Sequence, residues 1–156
     1  MDTIINVDIS IVEAMSTTEL KAVTGLIFNV QHYTIHDGPG KRTTVFTKGC
    51  PLRCMWCQNP ESLHAYPEIM LIQDKCTACG RSINVCSQNG IEIRDGHSIL
   101  ANKDVCISCG NCADRCLNEA RSLMGKAVTA KEIVDAVSRD LAFYRRSKGG
   151  VTLSGG

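Results

Sequence analysis

This chain has no excess of charge, no long apolar run and no export signal, and each absence excludes a class of protein. Lys and Arg number 17 against 16 Asp and Glu, a formal net charge of +1. That balance favours neither nucleic acid nor an anionic membrane surface as a partner. No apolar stretch approaches the ~18 residues of a membrane-spanning helix. The first 25 residues carry Asp2, Asp8, Glu13 and Glu19 and no basic leader region, so no secretory signal is expected. A length of 156 residues suits one ordinary domain, or one domain carrying a small insertion. What the chain has in abundance is cysteine, at ten residues. A disulfide scaffold would spread its cysteines; here they form three tight clusters at metal-ligand spacings. With no export signal, the expected location is the reducing cytosol (cytoplasmic), and clusters of this kind suit an anaerobic setting.

The densest cluster is Cys50-Pro-Leu-Arg-Cys54-Met-Trp-Cys57, a C-x3-C-x2-C loop that follows the strand-like run Thr43 to Gly49. A [4Fe–4S] cluster is held by cysteine thiolates, ordinarily four. Three closely spaced thiols fill one face of such a cluster and leave one iron open. By analogy with zinc, an open coordination position marks a catalytic metal centre and a closed one a structural centre. Gly49 and Pro51 suit a loop without regular hydrogen bonding. The alternatives are a zinc knuckle, a disulfide pair with a spare thiol, or three unrelated core cysteines. Zinc would need a fourth ligand, and His64 is the nearby candidate.

The other clusters form an internal repeat. Cys76-x2-Cys79-x2-Ser82-x3-Cys86 recurs thirty residues later as Cys106-x2-Cys109-x2-Cys112-x3-Cys116. Both halves fit the bacterial ferredoxin run, in which the fourth cysteine of each run ligates the other run's cluster. By that rule Cys106, Cys109, Cys112 and Cys86 make one complete cluster. Cys76, Cys79 and Cys116 are left with Ser82 where a fourth thiolate belongs. A serine hydroxyl is far less acidic than a thiol of pKa about 8.5, so this cluster is expected to be three-iron, labile or lost. The Pro that usually follows the run is replaced by Ser87 and Leu117. Ile91 to Ile93 and Ser98 to Leu100, separated by Asp95-Gly96, read as a hairpin. Structural zinc is the alternative use of these cysteine pairs.

Around the clusters the pattern is α/β. Ser16 and Glu19 can cap a short helix in residues 1–24, a segment otherwise read as an N-terminal extension without assigned function. Gly25 to Tyr33 reads as a strand. His36-Asp37-Gly38-Pro39-Gly40-Lys41-Arg42 is a strong turn, expected on the residues alone to be solvated. Thr129 and Glu132 form a capping box with Val128 and Ile133 as its hydrophobic staple. Ile133, Val137, Leu141 and Tyr144 make one apolar stripe on a single helix ending at Gly149-Gly150. Val151 to Ser154 is a short strand running into Gly155-Gly156. A strand, a helix and a second strand in that order follow the logic of a parallel barrel.

C-x3-C-x2-C with an aromatic before its last cysteine resembles the cluster loop of radical S-adenosylmethionine (SAM) enzymes. His36-Asp37-Gly38-Pro39-Gly40-x-Arg42-Thr43, a strand, that loop and Gln58-Asn59-Pro60-Glu61 are similar, in this order, to the glycyl-radical enzyme activating enzymes of the pyruvate formate-lyase type. The resemblance runs from Gly25 to Gly156. It implies a partial (β/α)6 radical SAM barrel with an inserted α+β bacterial ferredoxin-like domain. The expected parts are 25–67 for the first barrel segment, 68–125 for the insert and 126–156 for the barrel's continuation. The resemblance further implies that Cys50, Cys54 and Cys57 hold a catalytic [4Fe–4S] cluster whose open iron takes the SAM amine and carboxylate. An electron from the cluster then cleaves SAM to methionine and a 5′-deoxyadenosyl radical. Trp56 is expected on the adenine side, with a plain core role as the alternative, and Gly155 and Gly156 at the methionyl amino group. One or two further [4Fe–4S] clusters would relay electrons from a flavodoxin or ferredoxin. The implied substrate is a backbone glycine of a partner glycyl-radical enzyme, with no nucleic acid or membrane involved.

In this family the last motif reads Gly-Gly-Glu, and the sequence stops one residue short of the Glu. Leaving out the insert, too few residues remain for a barrel of ~200 residues or more. The expectation is therefore the N-terminal part of an activating enzyme, poorly stable by itself because its sheet ends on an open edge. The rival readings are an iron–sulfur electron carrier without SAM chemistry, a radical SAM enzyme acting on a small molecule, and a structural zinc protein.

Overall fold

The structure is a computed structural model and describes residues 15–155. In chain order its elements are α1 (Thr17–Ala22), β1 (Thr24–Thr34), β2 (Arg42–Thr47), β3 (Glu68–Leu71), α2 (Arg81–Asn84), β4 (Ile91–Arg94) and β5 (His97–Leu100). There follow α3 (Asn111–Asp114), β6 (Arg121–Met124), β7 (Lys126–Thr129), α4 (Ala130–Ser138), α5 (Leu141–Ser147) and β8 (Gly150–Gly155). The class is mixed α/β. The chain divides into two compact units, one running up to Tyr66 and resuming at Gly125, the other Pro67–Met124. No helix among the described residues is long and apolar enough to cross a membrane.

The first unit is built on a sheet ordered β7-β1-β2-β8. β1 pairs antiparallel with both β7 and β2, whereas β2 and β8 run parallel, Arg42 opposite Gly150 and Thr47 opposite Gly155. A parallel pair needs a long crossover, and here α4 and α5 supply it. Both expected capping boxes form: Ser16 with Glu19 ahead of α1, and Thr129 with Glu132 ahead of α4. The short strand β7, before α4, was not anticipated; Lys126 to Thr129 is too short and mixed to carry a periodic pattern.

β2 is enclosed on both faces although half of it is threonine, so its hydroxyls must be satisfied. Thr43 donates to the Asp140 carboxylate (2.7 Å) and accepts from the Tyr144 hydroxyl (2.6 Å). Thr44 donates to Asp37 (2.6 Å). Arg42 corrects the expectation of a solvated turn. It is only 1% exposed and donates to Thr152 Oγ1 (2.6 Å), the Val151 carbonyl (2.7 Å) and the Pro39 carbonyl (3.3 Å). Its guanidinium fork ties the turn to β8, while His36 stays exposed.

The single helix expected after Thr129 is broken in two. Asp140 interrupts it: the carboxylate turns inward to His32 Nδ1 (2.5 Å) and Thr43, and the Asp140 N–H bonds the Val137 carbonyl in a tightened last turn. Burial pushes the Asp140 carboxyl upward, but the hydrogen bonds from His32 and Thr43 outweigh it and hold the group below its ordinary value. The apolar stripe survives the break, with Tyr144 buried and Ile133, Val137 and Leu141 half-buried. Nor is it a glycine that takes the left-handed position closing α5; Lys148 does (φ 55°). Gly149 serves another purpose, since a Cβ there would lie 1.8 Å from the Lys41 carbonyl oxygen.

The second unit contains the expected hairpin, β4 and β5 paired antiparallel through Asp95 (φ 51°) and Gly96 (φ 76°). A second ladder, β3 with β6, was not foreseen. Its paired residues lie fifty or more positions apart in sequence, a pairing that local pattern does not encode. α2 and α3 are single turns, each beginning at a left-handed glycine, Gly80 and Gly110.

Candidate metal centres

All ten cysteines are free thiols. In the first unit β2 leads straight into the Cys50 loop. The Ser62 carbonyl accepts from the N–H groups of both Gly49 (2.7 Å) and Cys50 (3.0 Å). Lys48 Nζ bonds the Glu61 carbonyl, so the returning Pro60–Ser62 turn anchors the start of the loop. Arg53 folds back onto the carbonyls of Cys50 (3.0 Å) and Leu52 (2.8 Å). Beyond these bonds the loop is open: Cys50 and Cys57 are half-buried, Cys54 is exposed, and Met55 and Trp56 are 95% and 82% exposed. Among the described residues Trp56 is thus outside the core.

Gly155 is the last described residue of β8 and sits opposite Thr47, at the strand end from which the Cys50 loop leaves. Its φ is 99°, and a Cβ would come within 2.2 Å of the Thr47 carbonyl oxygen, so only glycine fits this close approach. Gly156 lies outside the described residues.

In the second unit the repeat cysteines line two cavities. One, of about 260 Å³, is lined by Cys76, Cys79, Cys112 and Cys116 together with Ser82 and Arg121. The other, of about 30 Å³, is lined by Cys86, Cys106, Cys109 and Cys112, and again by Arg121. Cys112 and Arg121 thus border both. Backbone N–H groups point at the sulfurs: Ser98 donates to Cys76 Sγ (3.3 Å) and Ala120 to Cys116 Sγ (3.2 Å). The Ser98 hydrogen bond is the main reason the Cys76 thiol titrates below its ordinary value. Burial pushes the Cys112 thiol up, opposed by the Arg121 charge. Arg121, only 4% exposed, donates to the Ser98 carbonyl (2.6 Å) and hydroxyl (3.2 Å). Arg121, Ser98 and the inward aim of their bonds were not foreseen; nothing in the sequence distinguishes this arginine from its surface counterparts.

Among the described residues no three His, Cys, Asp or Glu side chains are arranged to hold a single metal ion. Soft thiolates with backbone N–H groups aimed at their sulfurs are instead the donor set of iron–sulfur clusters. The residues present fit such clusters.

Comparison with known proteins agrees with that chemistry. Residues 36–156 match the family described as 4Fe-4S single cluster domain, and the chain belongs to it. It is 45% identical over 146 residues to the isethionate sulfite-lyase activating enzyme of Oleidesulfovibrio alaskensis, covering 91% of this chain and 47% of that protein. It is 44% identical over 135 residues to the benzylsuccinate synthase activating enzyme of Thauera aromatica (84% and 41% covered). It is also 42% identical over 131 residues to the trans-4-hydroxy-L-proline dehydratase activating enzyme of Clostridioides difficile (84% and 43% covered). These homologues are glycyl-radical enzyme activating enzymes of the radical SAM class. The chain spans a little under half the length of the curated relatives it matches.

Proposed function

We propose that this chain supplies the cluster-binding part of a radical SAM activating enzyme, one that abstracts hydrogen from a glycine of a partner glycyl-radical enzyme. On this reading the β2–β8 pair begins a partial (β/α)6 barrel, and Pro67–Met124 is a bacterial ferredoxin-like insert. The observation that carries it is the parallel pairing of β2 with β8, which brings the start of the Cys50 loop and Gly155 to the same end of one sheet. Active sites of parallel barrels lie at that strand end.

Cys50, Cys54 and Cys57 would hold the catalytic [4Fe–4S] cluster, their loop fixed at its base by Ser62. When bound, that cluster supplies the electron that cleaves SAM to methionine and a 5′-deoxyadenosyl radical. Gly155 and Gly156 would receive the methionyl amino group against bare backbone. Trp56 offers its exposed ring to the adenine. In the insert, Cys86, Cys106, Cys109 and Cys112 would hold one further cluster and Cys76, Cys79 and Cys116 a second, accepting electrons from a flavodoxin or ferredoxin. The division is supported by the lining of the two cavities and by the ferredoxin run. Ten unpaired thiols suit a reducing cytosol.

The test is SAM cleavage under anaerobic conditions with dithionite. The reconstituted chain should give a cluster EPR signal that changes on adding SAM, and an activating enzyme containing it should form 5′-deoxyadenosine and methionine. Cys54→Ala should lose both. Cleavage by Cys54→Ala at the wild-type rate would overturn the assignment. A second reading, an electron carrier, is favoured by the compactness of Pro67–Met124 with its two cysteine-lined cavities; reversible reduction with no response to SAM would select it.

A further inference from the structure

We propose that the Cys76–Cys79–Cys116 cavity holds a cluster anchored by only three protein thiolates, with one exchangeable iron at the Ser82 corner. This deepens the reading of Pro67–Met124 as a two-cluster unit and rests on it.

Ser82 lines the cavity at the place of the missing cysteine. Its hydroxyl is already engaged, 2.7 Å from the hydroxyl of buried Ser98. Ser98 is held in turn by Arg121, which donates to its carbonyl (2.6 Å) and its hydroxyl (3.2 Å). The Ser98 N–H is committed to Cys76 Sγ (3.3 Å). Ser82, Ser98 and Arg121 are therefore bonded to one another while Ser82 remains a neutral hydroxyl. To bind iron, Ser82 would have to give up its proton, and the resulting hard alkoxide matches a soft iron–sulfur cluster poorly. The Ser82 cavity is also the larger of the two, about 260 against about 30 Å³. Cys112 lines this cavity as well as the other, and the ferredoxin run gives it to the cluster of Cys86, Cys106 and Cys109.

An iron without a thiolate is lost on oxidation. A one-electron oxidant takes [4Fe–4S]2+ to [4Fe–4S]3+, which releases Fe2+ and leaves [3Fe–4S]+. Fe2+ and one electron from dithionite restore the original cluster.

The experiment uses the full chain carrying Cys50→Ala, Cys54→Ala and Cys57→Ala, so that only the second unit contributes. The reconstituted protein is oxidised with ferricyanide and followed by EPR and Mössbauer spectroscopy. One three-iron cluster per chain is expected beside one intact four-iron cluster, reversed by Fe2+ and dithionite. Ser82→Ala should behave identically. Ser82→Cys, which adds the fourth thiolate, should abolish the three-iron signal. Two four-iron clusters that both survive oxidation would overturn the proposal, as would a signal altered by Ser82→Ala. Absence of any cluster at Cys76, Cys79 and Cys116 would also overturn it. The SAM response of the unmodified loop is measured separately, so failure of the catalytic reading is distinguishable from failure here.

Discussion

Ala78, Gly80 and Asn89 have φ angles of 49°, 76° and 50°; thirty residues on, Ser108, Gly110 and Glu119 have 51°, 83° and 49°. The two halves of the cysteine repeat thus trace the same path even where their residue types differ. Four of these six positions are not glycine, and a left-handed conformation costs such residues ~1–2 kcal/mol each. A chain keeps that strain twice only when the loop geometry demands it, and wrapping sulfurs around a cluster is such a demand. The halves differ in their third ligand, Ser82 against Cys112, and in what surrounds it. Cys112 is buried and borders both cavities, whereas Ser82 is half-buried and tied to Ser98. Backbone is what the two halves share, and side-chain chemistry is what makes them unequal.

The largest test of that inequality is Cys112→Ser, which makes the second half imitate the first. On the proposed assignment, the cluster at Cys86, Cys106 and Cys109 should become oxidation-sensitive, so that EPR finds two three-iron signals from the second unit in place of one. An unchanged spectrum would break the comparison. A smaller effect is expected of Arg121→Gln. A buried cation bordering both cavities favours the more negative, reduced cluster at each. Its loss should lower both midpoint potentials in a redox titration, on the order of tens of millivolts. If only one potential moves, Arg121 serves one half and not both. The finest distinction is between Gly80→Ala and Gly110→Ala. Each places a Cβ at positive φ and should cost ~1–2 kcal/mol. Gly110→Ala also meets Leu123 Cδ2 at 3.3 Å where Gly80→Ala meets open space. It should lower Tm further, by about one to a few degrees; equal Tm values would show that Leu123 yields freely.

Much of this was legible in the residues, and the limits have physical causes. Capping boxes, the Asp95-Gly96 turn and cysteine spacing are local signals, and each appears where its residues stand. The helix break at Asp140 was not legible, because its cause lies about a hundred residues away in His32 and Thr43. Arg42 read as a solvated turn residue, since only the return of β8 supplies Val151 and Thr152 to bury it. In the second unit, spacing marked out the cysteines that line the two cavities and singled out Ser82. It could not show that Ser98 and Arg121 occupy that corner.

By itself the sequence determined the number, spacing and grouping of the cysteines, because spacing within a loop is a property of the covalent chain. It determined the short helices and turns for the same reason. Only the tertiary structure decided which groups meet across the chain: Gly155 beside Thr47, Arg121 between two cavities, Ser98 on both Ser82 and Cys76. Those encounters depend on long-range strand pairing and on satisfying buried polar groups, and neither leaves a periodic trace along the chain.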